Sequence, residues 1–217
     1  MRKMTESEWL SCDDPEAMLR FLRGKTSDRK LRLFAAAAFG RLAALLPDRL
    51  QRWGIAMLER LAEGTITRAE SRSVTAEVRR AIPPDTWVPG SPPADHPHYV
   101  ALMLYREFCS SSIAAHAVHA SAGLMDGTGE RREQARLMRC IFGYPCRSVA
   151  ADPTWLTFDV LDLARTAYEE WALDRMPIVG YALEEAGCDD EVILSHCRGP
   201  GPHIRGCWVV DAILGES

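Results

Sequence analysis

Nowhere in these 217 residues do apolar side chains run long enough to cross a bilayer. The longest such run, Leu33 to Phe39, is mostly alanine and far short of the ~20 residues a spanning helix requires. Behind the basic start Met1-Arg2-Lys3-Met4 comes polar Thr5-Glu6-Ser7-Glu8, where a secretory signal needs an apolar stretch. A cytoplasmic bacterial protein is therefore expected. Nor does a disulfide framework show. The seven cysteines are an odd number, irregularly spaced, in a chain large enough to need no staples, which favours reduced thiols over a disulfide framework. Sustained apolar–polar alternation is rare, so strands are not expected, and no fixed-period repeat argues for a solenoid. No nucleotide-binding glycine loop, His-Glu-x-x-His pair or assembled catalytic motif names a reaction.

What is present is ordinary for a globular chain: 47% hydrophobic and 26% charged residues. The net charge of −4 is uneven. Residues 1–80 carry 16 Lys and Arg against 11 Asp and Glu, or +5; residues 81–217 carry 10 against 19, or −9. A surplus of +5 over eighty residues is mild for a nucleic-acid surface and suits two halves with complementary fields better.

Helix signals run from end to end. Asp14-Pro15-Glu16 is an N-cap followed by proline at the first helical position, and Gly24 closes that helix. Ser27 caps the next, whose Leu31, Phe34, Ala38, Leu42 and Leu45 step by three and four. Leu50, Trp53, Met57 and Leu61 repeat the pattern up to Gly64, and Thr67-Arg-Ala-Glu70 fits a capping box opening a polar helix to about Arg80. Residues 82–97 hold six of the thirteen prolines and predict a loop. Beyond it a long helix is expected from about His98 to Ala122. A turn follows at Asp126-Gly127-Thr128-Gly129, then a helix from about Glu130 to Phe142. Thr157 caps a helix with the stripe Val160, Leu163, Ala164, Ala167, Tyr168 and Trp171. Met176, Val179, Leu183 and Ala186 mark another, ended by Gly187. A short turn of helix after Asp189 and a helix from Ile204 to Leu214 close the chain. The predicted fold is all-α: a compact bundle of about eight to ten helices in a single domain, 1–217. Sub-layers 1–81 and 98–217 would be joined by the proline-rich loop 82–97.

The two ends resemble a bacterial family of uncharacterised helical proteins. At the start the likeness lies in Met4-Thr-Glu-Ser-Glu-Trp-Leu-Ser-Cys12, Met18-Leu-Arg-Phe-Leu-Arg-Gly-Lys25 and Ser27-Asp-Arg-Lys-Leu-Arg-Leu-Phe34. At the close it lies in Ile141-Phe-Gly-Tyr-Pro145, Asp152-Pro-Thr-Trp-Leu156, Ala186-Gly-Cys-Asp-Asp190 and His196-Cys-Arg-Gly-Pro-Gly-Pro-His-Ile-Arg-Gly-Cys-Trp-Val-Val-Asp211. It covers roughly half the chain and brings no activity. It implies that Met4 is the natural start. Relatives often place several cysteines where this chain has Ala35 to Ala38 and Phe39, so a metal shared between those thiols and the C-terminal ones would here have lost half its site.

The closing stretch is where chemistry is sought. Cys188, His196, Cys197, His203 and Cys207 are five candidate zinc ligands within twenty residues. Their spacing argues against a knuckle. Eight and nine residues separate the cysteines, and adjacent His196 and Cys197 point about 100° apart on a helix. Only His203 and Cys207, four apart, have knuckle-like spacing. The competing reading makes the three cysteines small buried apolar residues. As a thiol nucleophile Cys197 is the best placed, beside Arg198 and across the turn from His203. Pro200 and Pro202 remove two amide donors, so Gly199-Pro-Gly-Pro202 is a poor phosphate cradle and better fixes the angle between the last helices. His116 and His119, with Cys109 two turns earlier, share a helix face and read as packing.

Arg20, Arg23, Lys25, Arg29, Lys30 and Arg32, with Arg198 and Arg205, are candidate anion or partner contacts. The expected function is a non-catalytic helical interaction or regulatory module with a protein partner and no cofactor. The first alternative is a small zinc-binding or thiol-dependent protein using the C-terminal Cys/His cluster. A nucleic-acid-associated helical protein is the second.

Overall fold

Side chains that stop the backbone from fraying mark where this chain turns helical. Asp14 accepts from the amides of Glu16 and Ala17 and opens the helix that starts at Pro15, while Thr5 and Glu8 form a reciprocal capping box one helix earlier. Each such cap is worth about 1 kcal/mol. The computed structural model describes residues 4–42, 59–60, 62–67, 69–70, 72–73, 76, 80, 127–145 and 150–216. Among them are eight α-helices and no strand. These are α1 (Glu6–Ser11), α2 (Pro15–Leu22, the helix capped by Asp14), α3 (Asp28–Leu42), α4 (Gly127–Phe142), α5 (Phe158–Glu169), α6 (Met176–Glu185), α7 (Glu191–Arg198) and α8 (Trp208–Leu214). The all-α expectation holds. No helix of the described residues is long and apolar enough to cross a membrane. The proline-rich segment 82–97, the helix expected over 98–122 with Cys109, His116 and His119, and most of the helix expected near 50–61 lie outside the described residues.

Two compact units are distinguished, one of Met1–Cys12 with Arg136–Ser217, the other Asp13–Ala135. In the second, the apolar face of α3 is buried through Leu33, Phe34, Ala35, Ala38 and Phe39. Ser27 caps that helix through the amide of Lys30 at 3.3 Å. Arg131 pairs with Asp14 at 2.8 Å and Glu16 at 3.3 Å, so the Asp14 carboxylate both caps α2 and receives a guanidinium. Thr67 and Glu70 form the capping box expected of them.

The first unit has its own core. Val160, Ala164 and Ala167 of α5, Met176, Val179 and Leu183 of α6, and Ile193 and Leu194 of α7 are buried against Val209, Val210 and Ile213 of α8. Helix α6 packs on α5 and α7, and α8 packs on the same two. Trp9 of α1 is fully buried and donates from Nε1 to the Gly143 carbonyl at 2.8 Å. Arg139 donates to the Cys12 carbonyl at 2.8 Å, satisfying the end of α1.

Three boundaries depart from the sequence expectation. Helix α4 begins at Gly127 rather than about Glu130, since amides of a first turn have no i−4 partner to lose and glycine is tolerated there. Helix α8 begins at Trp208 rather than Ile204, because Gly206 sits at φ +84°, outside helical geometry. Trp171 does not continue the α5 stripe: it lies past the helix end at φ +60° and is half exposed.

Candidate metal centre

Four side chains of the first unit converge: Cys140, His196, His203 and Cys207, whose donor atoms all lie within 4.8 Å of one another. The two cysteines are buried and the two histidines half-buried. Each arrives from a different place. Cys140 stands in the last turn and a half of α4, and His196 near the end of α7. His203 follows the Gly199–Pro202 turn, which passes through a cis Gly201–Pro202 bond, and Cys207 is the N-cap residue of α8. Helix α4 also holds that turn. Arg136, one turn before Cys140 on the same face, donates from Nη2 to the Gly201 carbonyl at 2.7 Å. Gly143, at φ +55°, lets the chain pass so close to Trp208 that a Cβ there would lie 2.7 Å from the indole.

The protons of the cluster can be placed by elimination. His203 Nε2 lies 3.4 Å from the Gly199 carbonyl oxygen, which can only accept, so Nε2 carries the hydrogen. In the neutral ring Nδ1 is then the lone pair, and Nδ1 is buried with no hydrogen-bond partner. A carbonyl on one ring nitrogen and a buried, unpartnered second nitrogen is the arrangement of a metal-binding histidine. His196 Nε2 lies 3.2 Å from Cys207 Sγ, its ring edge-on to that of His203 at 5.0 Å between centroids. Trp208 flanks His196 at 5.3 Å.

Cys207 is fully buried, which by itself would raise its thiol. The neighbouring side chains of Cys140, His196 and His203, with the charge of His196, outweigh burial and hold it well below the ordinary thiol value. A metal would replace the proton on the His196–Cys207 contact. Two thiolates and two neutral imidazoles also cancel a dication's charge, so the loaded site could stay buried without an uncompensated ion. Zinc–sulfur and zinc–nitrogen bonds of about 2.3 and 2.0–2.1 Å set tetrahedron edges of about 3.3–3.8 Å. The 3.2 Å contact already matches, and the widest separation must shrink by about 1 Å.

Of the five residues singled out from the sequence, three meet here: His196, His203 and Cys207. Cys188 and Cys197 do not join them. The divergence expected of neighbours on a helix separates His196 from Cys197, whose Cβ packs on Gly180 of α6. Burial first, then the neighbouring Cys207 and Cys188, push the Cys197 thiol up to about 12. Burial likewise raises Cys188. Both are protonated packing residues at neutral pH, and Cys197 is poorly suited to nucleophilic attack. Cys140 is the ligand candidate that sequence reasoning missed. It lies fifty-six positions before His196, beyond any spacing rule, on a helix where cysteine reads as core.

Several of the basic candidates are engaged within the chain. Arg29 makes a two-point contact with Glu63 at 3.1 and 3.2 Å, and Lys25 sits 3.3 Å over the Phe21 ring. Arg198 pairs with Glu184 and lies over Tyr181. The Arg205 guanidinium is 4.5 Å from the Tyr168 ring and 5.6 Å from that of Trp171. Arg20 and Arg23 are exposed, Lys30 and Arg32 half-buried. Ala35, Ala36, Ala38 and Phe39, where the resembled family often has cysteines, are buried apolar residues of α3. No protein-family model, curated protein or solved structure matches the chain.

Proposed function

We propose that this chain is a non-catalytic helical interaction module whose C-terminal unit is tied together by one zinc ion on Cys140, His196, His203 and Cys207. The observation that carries the reading is the convergence of four Cys and His donors within 4.8 Å, beside the buried, unpartnered Nδ1 of His203. Four protein ligands would fill a tetrahedral ion and leave no position for substrate, so the role is structural. The mixed sulfur–nitrogen set favours zinc over magnesium or calcium, which take oxygen. Free thiols at the centre suit a reducing compartment, hence the cytoplasm. Exposed Phe158, Tyr181 and Trp171 support a protein partner. Membership of the bacterial family that the chain's ends resemble belongs to the same reading.

Thermal melting tests it. Zinc-loaded protein is expected to lose at least several degrees of Tm on chelation and to regain them on adding zinc back. His203→Ala should melt at the chelated temperature with or without zinc, while Cys188→Ala keeps a zinc-dependent Tm. A wild-type Tm indifferent to zinc and chelator would refute the reading.

A further inference from the structure

We propose that the centre is gated by oxidation: hydrogen peroxide joins Cys140 to Cys207 as a disulfide and the metal leaves. The proposal rests on the zinc reading above and adds regulation to it. Its basis is the placement of the sulfurs. Cys140 Sγ and Cys207 Sγ are no more than 4.8 Å apart. A disulfide needs about 2.05 Å, so the pair must close by at most about 2.8 Å. Cys207 stands at a joint of the backbone rather than inside a helix. It precedes α8, its side chain makes no capping bond to that helix, and Gly206 at φ +84° stands beside it.

The other buried thiols are worse placed. Cys197 is packed on Gly180, and neither it nor Cys188 joins the cluster. The half-buried faces of the cluster are the imidazoles of His196 and His203, leaving the sulfurs covered by their own core. Approach past the imidazoles favours an oxidant as small as peroxide over bulky disulfide reagents.

The step balances. In the metal-free chain both S–H bonds break, one S–S bond forms, and two electrons pass from the sulfur pair to peroxide. The O–O bond breaks, and each oxygen leaves as water with one of the thiol protons. In the loaded chain the sulfurs begin as thiolates, water supplies the two protons, and the dication departs because a disulfide sulfur is a far weaker ligand. A dithiol reductant reverses the change.

The experiment treats the full zinc-loaded chain with hydrogen peroxide. Released zinc is read with a chromophoric chelator, and the linked cysteines by peptide mapping. About one zinc per chain should be freed, a Cys140–Cys207 cross-linked peptide should appear, and dithiothreitol with zinc should restore the starting state. Cys188→Ala and Cys197→Ala should behave as wild type. Cys140→His, which keeps a ligand but cannot be cross-linked, should hold its zinc under peroxide. If that variant does not fold, the wild-type peptide map decides alone. Zinc retained under excess peroxide, or released with Cys140 and Cys207 still alkylatable, would overturn the proposal and leave the zinc reading standing. A chain that takes up no zinc at the outset would overturn both.

Discussion

A histidine buried with one ring nitrogen paired and the other bare forfeits about 1–3 kcal/mol unless something completes it. His203 is in that position, and it is the residue at which structure and chemistry most plainly agree. The cysteines around it divide by environment. Cys207 is held low by its neighbouring side chains, whereas Cys197 is pushed up to about 12 by burial and adjacent thiols. The sign of the Cys197 effect is definite. Its folded value lies above the ordinary 9.0, so its contribution to stability is complete below pH 9 and disappears as pH rises toward 12. Between pH 9 and about 10.5 the metal-free protein should lose about 2 kcal/mol from this group. Denaturant unfolding at the two pH values measures it, and Cys197→Ala should show a correspondingly smaller loss. An identical loss in wild type and variant would show that this thiol is not the source.

Helices α6 and α7 meet at a glycine. A Cβ at Gly180 would lie 2.8 Å from the Cβ of Cys197, an atom fixed to the helix, so the pair would have to part. Overpacking of that kind costs about 1–3 kcal/mol, against roughly 1 kcal/mol that alanine returns in helix propensity. Gly180→Ala should therefore destabilise by up to about 2 kcal/mol. Gly129→Ala in α4, where a Cβ meets nothing within 4 Å, should be neutral or stabilising. Chemical denaturation of both variants gives the comparison, and equal stabilities would contradict the close approach.

Much of this element-level structure was legible in advance. Asp14, Ser27 and Thr157 cap the helices expected of them, and Val160, Ala164 and Ala167 are the buried stripe that their spacing announced. Local signals suffice where the cause is local. The α1 capping box, Thr5 with Glu8, rests on an equally local pair. The cluster is different. His196, His203 and Cys207 sat in view within one motif, but their convergence depends on a turn held by Arg136, and on Cys140 one turn farther along α4. Both come from a helix more than fifty residues earlier, and nothing in the spacing of the motif points there.

On the scale of the whole molecule, the unit containing Arg136–Ser217 draws four ligands from two helices, a turn and a helix start. A metal bound there would close loops that the unfolded chain must otherwise explore, so its binding energy becomes folding energy. That makes metal content the most direct measure of the account. The full chain, produced with zinc in the medium and freed of loose metal by gel filtration, should carry about one zinc per molecule by elemental analysis. His203→Ala and Cys207→Ala should each fall to near zero, with Cys188→Ala unchanged. A metal-free wild-type chain that also fails to take up added zinc, or equal zinc in all four proteins, would contradict it.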